Sequence, residues 1–370
     1  MTVCYRAEVI GSLLRPGYLK DARKAFEAGH LSAAGFKQAE DRAVDQSIAL
    51  QEAAGVDVVT DGEMRRTHFI SPLSDVLEGV KVIPAFKRTW RRRESAGEQG
   101  KQIEMQVQLA VVDKIGRKRS PVLEEFVYAR ARARKPLKIT LPSPLMMTLR
   151  YSPEHSKRAY PNPFDLFRDA AELVRQDAEE LARLGCEYIQ IDAPELGMLC
   201  DPERRRTDFA ERGMDPERLA TEGMEILDSV ATVPGVTFGL HLCRGNNQGY
   251  YVGEGGYEAI SKEAFKRARN YDIFLLEYDD WRSGDFEPLR DLPTDKFLVL
   301  GIVSTKHETM EPRDGLIKRI EEAARYFPRE QLALSTQCGF GTVWEGNPIS
   351  EQTQESKLTM VAELAHQLWK

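Results

Sequence analysis

A chain of 370 residues, 42% hydrophobic and 30% charged, carries enough apolar side chains for a sizeable core, which sets disordered and fibrous classes aside. Its 52 basic and 58 acidic side chains leave a formal charge of −6, which provides no global attraction to nucleic acid. The apolar runs are strand-sized and the opening "MTVCYRAEVIGSLLRPG" lacks the apolar stretch of a secretory signal, so no membrane span is expected and the expected location is cytoplasmic.

Short aliphatic runs recur in chain order, each followed by a polar turn and a longer segment with helical spacing. They are "AEVIGS", "VDVVTDGE", "LKITLPSP", "YIQIDAP", "VTFGLHLCRG", "IFLLEYDD", "FLVLGIVST" and "LALSTQCGF". Between them, Phe36, Ala39, Ala43, Val44 and Ile48 form one apolar helical stripe, and Leu166, Ala170, Leu173, Val174 and Leu181 form another. Asn162, Pro163 and Gly185 punctuate the second as N-cap, first turn and stop. Eight strands alternating with helices predict an α/β fold, a (β/α)8 TIM barrel formed as a single domain over residues 1–370, in preference to a doubly wound open sheet.

Residues 81–136 break this rhythm after the second strand. The alternation in "KQIEMQVQLAVV" predicts an inserted β-hairpin, and the runs "WRRR" and "ARARARK", basic enough for an anionic ligand, read in preference as a solvated charged face. Five cysteines, an odd number without close pairing, argue against a disulfide framework, and Cys4, Cys186 and Cys200 are expected to be small buried hydrophobes.

Barrel active sites lie at the C-terminal ends of the strands. Those positions hold Gly11 and Ser12, Asp61 and Glu63, Asp192, His241 and Cys243, Glu277, and Cys338. His241 and Cys243, two apart on an extended strand, point to one face and can share an ion. A lone His-x-Cys is a weak signal, but a barrel can bring Cys338 and Glu277 to the same mouth, completing a donor set suited to Zn²⁺. A salt bridge is the alternative fate of Glu277, since a buried carboxylate needs some partner. Thiolate-rich zinc points to thiol chemistry, because coordination lowers the pKa of a substrate thiol.

Taken together, "VIGSLLRP", "VVTDGEMRR", "IQIDAPEL", "HLCRGNN", "LLEYDD" and "STQCGFG" resemble cobalamin-independent methionine synthase. The resemblance is closer to its short single-barrel relatives, a group that includes epoxyalkane:coenzyme M transferases, and it runs from about Ala7 to the C-terminus. It implies a barrel in which Zn²⁺ activates a thiol, homocysteine in the synthases, for attack on a methyl donor. By motif, it makes His241, Cys243, Glu277 and Cys338 the metal ligands, and Ile10, Gly11 and Ser12 the holders of the amino acid's carboxylate. Glu63 and Asp192 would take its ammonium, and Asp192 and His307 are the expected catalytic side chains, with Lys306 competing for the histidine's place. The synthases' pterin-stacking aromatic falls near "PSPLMMTLRYSPE", where this chain offers Arg150 and Tyr151. Their additional N-terminal barrel has no room here, which leaves methyltetrahydrofolate, a methyl corrinoid or another small methylated metabolite as donor. The expected partners are thus a homocysteine-like thiol and a methyl donor, with no nucleic acid or membrane and a homo-oligomer left open. Rival readings are an alkyltransferase for another thiol such as coenzyme M, a metal-free barrel like the uroporphyrinogen decarboxylases, and a non-catalytic binding barrel.

Overall fold

The computed structural model describes residues 5–93, 95 and 98–369; Cys4 lies outside the described residues. Seven parallel strands form the central sheet: β1 (Ala7–Glu8), β4 (Lys138–Pro142), β5 (Tyr188–Asp192), β6 (Thr237–Leu242), β7 (Ile273–Glu277), β8 (Phe297–Val303) and β9 (Leu332–Thr336). Their order is β1-β9-β8-β7-β6-β5-β4. Strands β4, β5, β7 and β9 are buried along their whole length, as expected of a sheet covered on both faces.

The predicted second strand occupies the gap between β1 and β4 without forming a regular ladder. Asp57 N–H donates to the Ala7 carbonyl (2.8 Å), while Val59 N–H reaches the Pro136 carbonyl (2.9 Å) and Lys138 N–H returns to the Val59 carbonyl (2.8 Å). The segment therefore closes the ring through a single parallel bridge, Val59 to Leu137. Side chains explain why it stops there. The Gln51 amide captures both the N–H and the carbonyl of Thr60 (2.8 Å each), and the Asp57 carboxylate accepts from the N–H groups of Arg6 and Ala7. Backbone groups satisfied in this way cannot extend a ladder.

The helices follow the apolar stripes. Ala33–Ala54 is capped by Ser32, and Pro163–Arg183 by Asn162, whose side chain accepts from Phe164 N–H. Gly185, at φ +90°, turns the chain out of the second helix. Among the described residues, no helix is long and apolar enough to cross a membrane.

The insertion is a long antiparallel hairpin, β2 (Leu77–Arg92) with β3 (Lys101–Arg117), followed by the helix Pro121–Arg130. It starts four residues before the predicted boundary. The reading of "WRRR" as a solvated face fails at Arg91, which is 3% exposed. Its guanidinium pairs with Asp201 (3.0 Å), and its backbone exchanges two hydrogen bonds with Tyr251 (2.7 and 2.8 Å). The basic run thus stitches the hairpin onto the loop that follows β6.

Inside the barrel a polar chain runs from the core toward the C-terminal mouth. Lys138 Nζ pairs with Glu8 and donates to the Val9 carbonyl (2.8 Å) and Gln190 Oε1 (2.7 Å). Gln190 Nε2 in turn donates to Asp192 Oδ1 (2.6 Å). Each of these buried groups is satisfied by the next, the condition under which a polar core is tolerated.

Candidate metal centre and substrate pocket

His241 and Cys243 project from the end of β6, and Cys338 follows β9 by two residues. One ligand atom from each lies within 4.8 Å of the other two, and all three residues are buried. The His241 Nδ1 is engaged by the Leu275 carbonyl at 2.9 Å, which orients the ring and leaves Nε2 buried with no hydrogen-bond partner. A ring held through one nitrogen, with its other nitrogen unpartnered and two sulfurs close by, is an arrangement that suits a metal-binding imidazole.

The charges follow the same pattern. A hydrogen bond from Cys243, helped by His241, holds the Cys338 thiol well below the usual thiol range, although burial opposes the thiolate. Cys243 is pushed up by that bond, by burial and by Glu277. Burial works against a charged His241, yet the Cys338 sulfur and the Asp192 carboxylate outweigh it and raise its pKa. Two sulfurs and an imidazole competing for too few protons suit a divalent cation. The residues present therefore fit zinc.

Glu277 stands apart from this trio. Its Oε1 accepts from Arg282 Nη2 (2.8 Å) and Lys306 Nζ (3.4 Å), and its Oε2 from Arg244 N–H (2.5 Å). Burial would raise its pKa, but Arg282, Lys306 and Arg244 bring it down to about 2. The structure thus gives this buried carboxylate the salt-bridge partners it needs, beside the trio. His307 is exposed on the loop after β8 and does not line the pocket. Lys306 turns inward instead, to Asp279 (2.5 Å) and Glu277. The inward position goes to the lysine because its long stem reaches the buried carboxylates.

Ile10, Gly11, Ser12, Glu63, Asp192, His241, Cys243 and Cys338 all line one pocket, which holds about 660 Å³ including its mouth. Gly11 takes φ +67° at the turn after β1, and Gly339 packs so closely that a Cβ there would come within 2.5 Å of Ser12 Oγ. Glu63 is a non-glycine residue at φ +53°, a conformation costing about 1–3 kcal/mol that tends to mark functional positions. Its Oε1 accepts from Thr140 (2.6 Å), whereas Oε2 is buried without a partner. Burial raises Asp192 to about 7 even though His241 and the Gln190 amide favour its charge.

Three residues of the pocket were not among the sequence candidates, although Trp90 opens the basic run "WRRR". Arg88 and Trp90 enter from the hairpin, and His68 from the loop after the second strand segment. Burial, with Arg150 and Arg15, pushes His68 down to about 3, so it is neutral. Tyr151 lies in the core with its hydroxyl near the Tyr160 carbonyl (3.4 Å), and the aromatic walls of the pocket come instead from Phe69 and Trp90.

The uncharacterized protein YxjG of Bacillus subtilis is 35% identical over 371 residues, covering 99% of this chain and 95% of its own. A methionine synthase of Pyrococcus abyssi is 27% identical, covering 90% of this chain and 85% of its own. A crystal structure of a candidate vitamin-B12-independent methionine synthase from Listeria monocytogenes superposes with a TM-score of 0.74 at 25% identity, covering 100% of this chain and 99% of that one. A B12-independent methionine synthase from a Shewanella species shares the fold, with a TM-score of 0.73 at 21% identity and coverage of 98% and 97%. The family model for the catalytic domain of cobalamin-independent synthase matches residues 6–362, and the chain belongs to that family.

Proposed function

We propose that this protein is a zinc-dependent S-methyltransferase that methylates an amino-acid thiol of the homocysteine type. The observation that carries the reading is the buried trio His241, Cys243 and Cys338, with its unpartnered His241 Nε2. These three residues would hold the metal, and Glu277 is the donor that would complete the set when no thiol is present. Zinc held there supplies the positive charge that favours the thiolate form of an approaching thiol.

The chain's own residues do the rest. The unpartnered Oε2 of Glu63 and the carboxylate of Asp192 face the pocket and would take the substrate's ammonium, while the Ile10–Ser12 turn would hold its carboxylate. Gln190 holds Asp192 in place, so little reorganisation is needed on binding. Apolar walls from Phe69, Met146, Leu149 and Met198 exclude water from the sulfur and strengthen these charge contacts. Two carboxylates would repel the sulfonate of coenzyme M, which favours an amino-acid thiol. The relative in Pyrococcus abyssi named methionine synthase supports the same choice.

The test is zinc per chain in protein purified without chelator, beside Cys243→Ser and Cys338→Ser after zinc reconstitution and desalting. The expected result is one equivalent in the parent, lost in both variants, with zinc-edge X-ray absorption gaining a sulfur when L-homocysteine is added. A parent that holds no zinc, or a shell unchanged by the thiol, overturns the proposal.

A further inference from the structure

The hairpin supplies the pocket with a charge that the amino-acid substrate does not use. Arg88 is 5% exposed and lines the pocket. Its Nε lies 2.8 Å from Asp208 Oδ2, but neither terminal nitrogen makes a hydrogen bond to any described residue. Asp208 does not neutralise it fully, since the same carboxylate also faces Arg204 at 3.2 Å. Arg150, close enough to Arg88 for their charges to repel, has no carboxylate within ion-pairing distance among the described residues. Glu195, the other acid near Arg88, is pushed by burial up to about 8 and is largely neutral at pH 7. An arginine this buried with free donors faces a desolvation cost that an incoming anion would relieve.

The surroundings of Arg88 are apolar and partly aromatic. Trp90, two residues on along the same strand, has its ring against Gly245, where a Cβ would come within 3.2 Å of Cζ3. Phe69, Met146 and Leu149 complete the wall. The hairpin cannot drift, because the Arg91–Tyr251 backbone pair ties it to the loop after β6. The groups proposed to receive the amino acid's own charges stand on the strand ends, at Ile10–Ser12, Glu63 and Asp192. That leaves Arg88 for the second substrate.

We infer that Arg88, with Trp90 and Phe69 beside it, binds the anionic group of the methyl donor, a methylated compound carrying a carboxylate or similar oxyanion on an apolar or aromatic body. The inference rests on the methyl-transfer reading above and specifies its second substrate. In the reaction the thiolate sulfur forms a bond to the methyl carbon, the bond from that carbon to the donor heteroatom breaks, and its electron pair leaves with the heteroatom. The thiol's proton ends on that heteroatom through solvent, and the anionic group is not consumed. Arg88 orients the donor so that its methyl faces the sulfur.

The test uses zinc-loaded protein, saturating L-methionine, and two calorimetric probes of matched shape, 4-methoxybenzoate and the uncharged 4-methoxybenzamide. The carboxylate is expected to bind at least about tenfold more tightly than the amide, the scale of one charge-assisted hydrogen-bond pair. That preference should collapse toward parity in Arg88→Met. Should this variant fail to fold, Arg88→Lys serves, with the preference cut severalfold because a point charge replaces the planar fork. No binding of the carboxylate, no preference in the parent, or a full preference surviving substitution overturns the inference. Displacement of the carboxylate by L-methionine also overturns it, by assigning Arg88 to the thiol substrate. Zinc content and homocysteine binding are read separately, so failure here leaves the methyltransferase reading standing.

Discussion

Gly197, 46 positions before Cys243, is expected to control the metal centre through packing alone. It lies in the short helix Pro194–Met198 after β5, pressed against the end of β6, where the proposed ligands His241 and Cys243 stand. A Cβ built on Gly197 would sit 2.1 Å from the Cys243 carbonyl oxygen and 2.9 Å from its carbonyl carbon. Contacts under 3.0 Å are essentially never seen for real Cβ atoms, so Gly197→Ala must separate the two backbones by about 0.9 Å. No flexible side chain is available to give way, because the obstacle is backbone. The strain belongs with overpacking at about 1–3 kcal/mol, and the movement falls directly on a proposed ligand. Metal sites tolerate ligand displacements of only about 0.2 Å. Gly197→Ala should therefore fold with a lowered thermal midpoint and retain well under half an equivalent of zinc after desalting. Gly213→Ala is the control: this glycine lies at a turn and has nothing within 4 Å of its added Cβ. Its positive φ of +77° costs stability without touching the site, so zinc should stay bound. Full zinc occupancy in Gly197→Ala would refute the claim that this contact sets the position of Cys243.

Two other predictions address buried acids, Asp192 in the pocket and Glu195 on the helix that follows it. Asp192→Asn keeps shape and removes charge, so L-homocysteine binding should weaken about tenfold or more with zinc content unchanged; an unchanged dissociation constant by calorimetry would remove Asp192 from the ammonium site. Glu195, which accepts a hydrogen bond from Ser143, has a folded pKa raised by burial from 4.5 to about 8. Between those values the folded state holds a proton that the unfolded state has lost, so this group's contribution is complete below about 4.5 and drains away as pH rises, at up to about 1.4 kcal/mol per pH unit. Glu195→Gln cannot titrate and should gain on the parent between pH 5.5 and 8.5 in denaturant midpoints; a constant difference across that range would show that burial does not hold the proton.

The parts of this protein that were legible in the sequence are those whose signal is local. Strands buried on both faces read as continuous aliphatic runs, so seven of them lie where the pattern puts them, and Asn162 and Gly185 bound their helix as their chemistry requires. The second strand was legible as an apolar run but not as a bridge, because Gln51 and Asp57 take its backbone bonds from elsewhere in the chain. The convergence of His241, Cys243 and Cys338 was legible because a barrel gathers strand ends into one ring, a topological rule that needs no knowledge of side-chain geometry. Glu277 tests that rule's reach: it stands at the right strand end, yet Arg282 and Lys306, which arrive from later loops, compete for its carboxylate. No periodicity encodes that competition, because it depends on how two loops fold back over the mouth. The same reasoning explains Arg88 and Trp90. Their "KRTWRRR" context has the composition of a solvated face, and only the Arg91–Tyr251 pairing turns that strand edge inward against β6's loop. Composition predicts the fate of a charged run when water is its alternative partner; here the alternative is a buried wall with acids of its own, Asp201 and Asp208, and the arginines follow the acids.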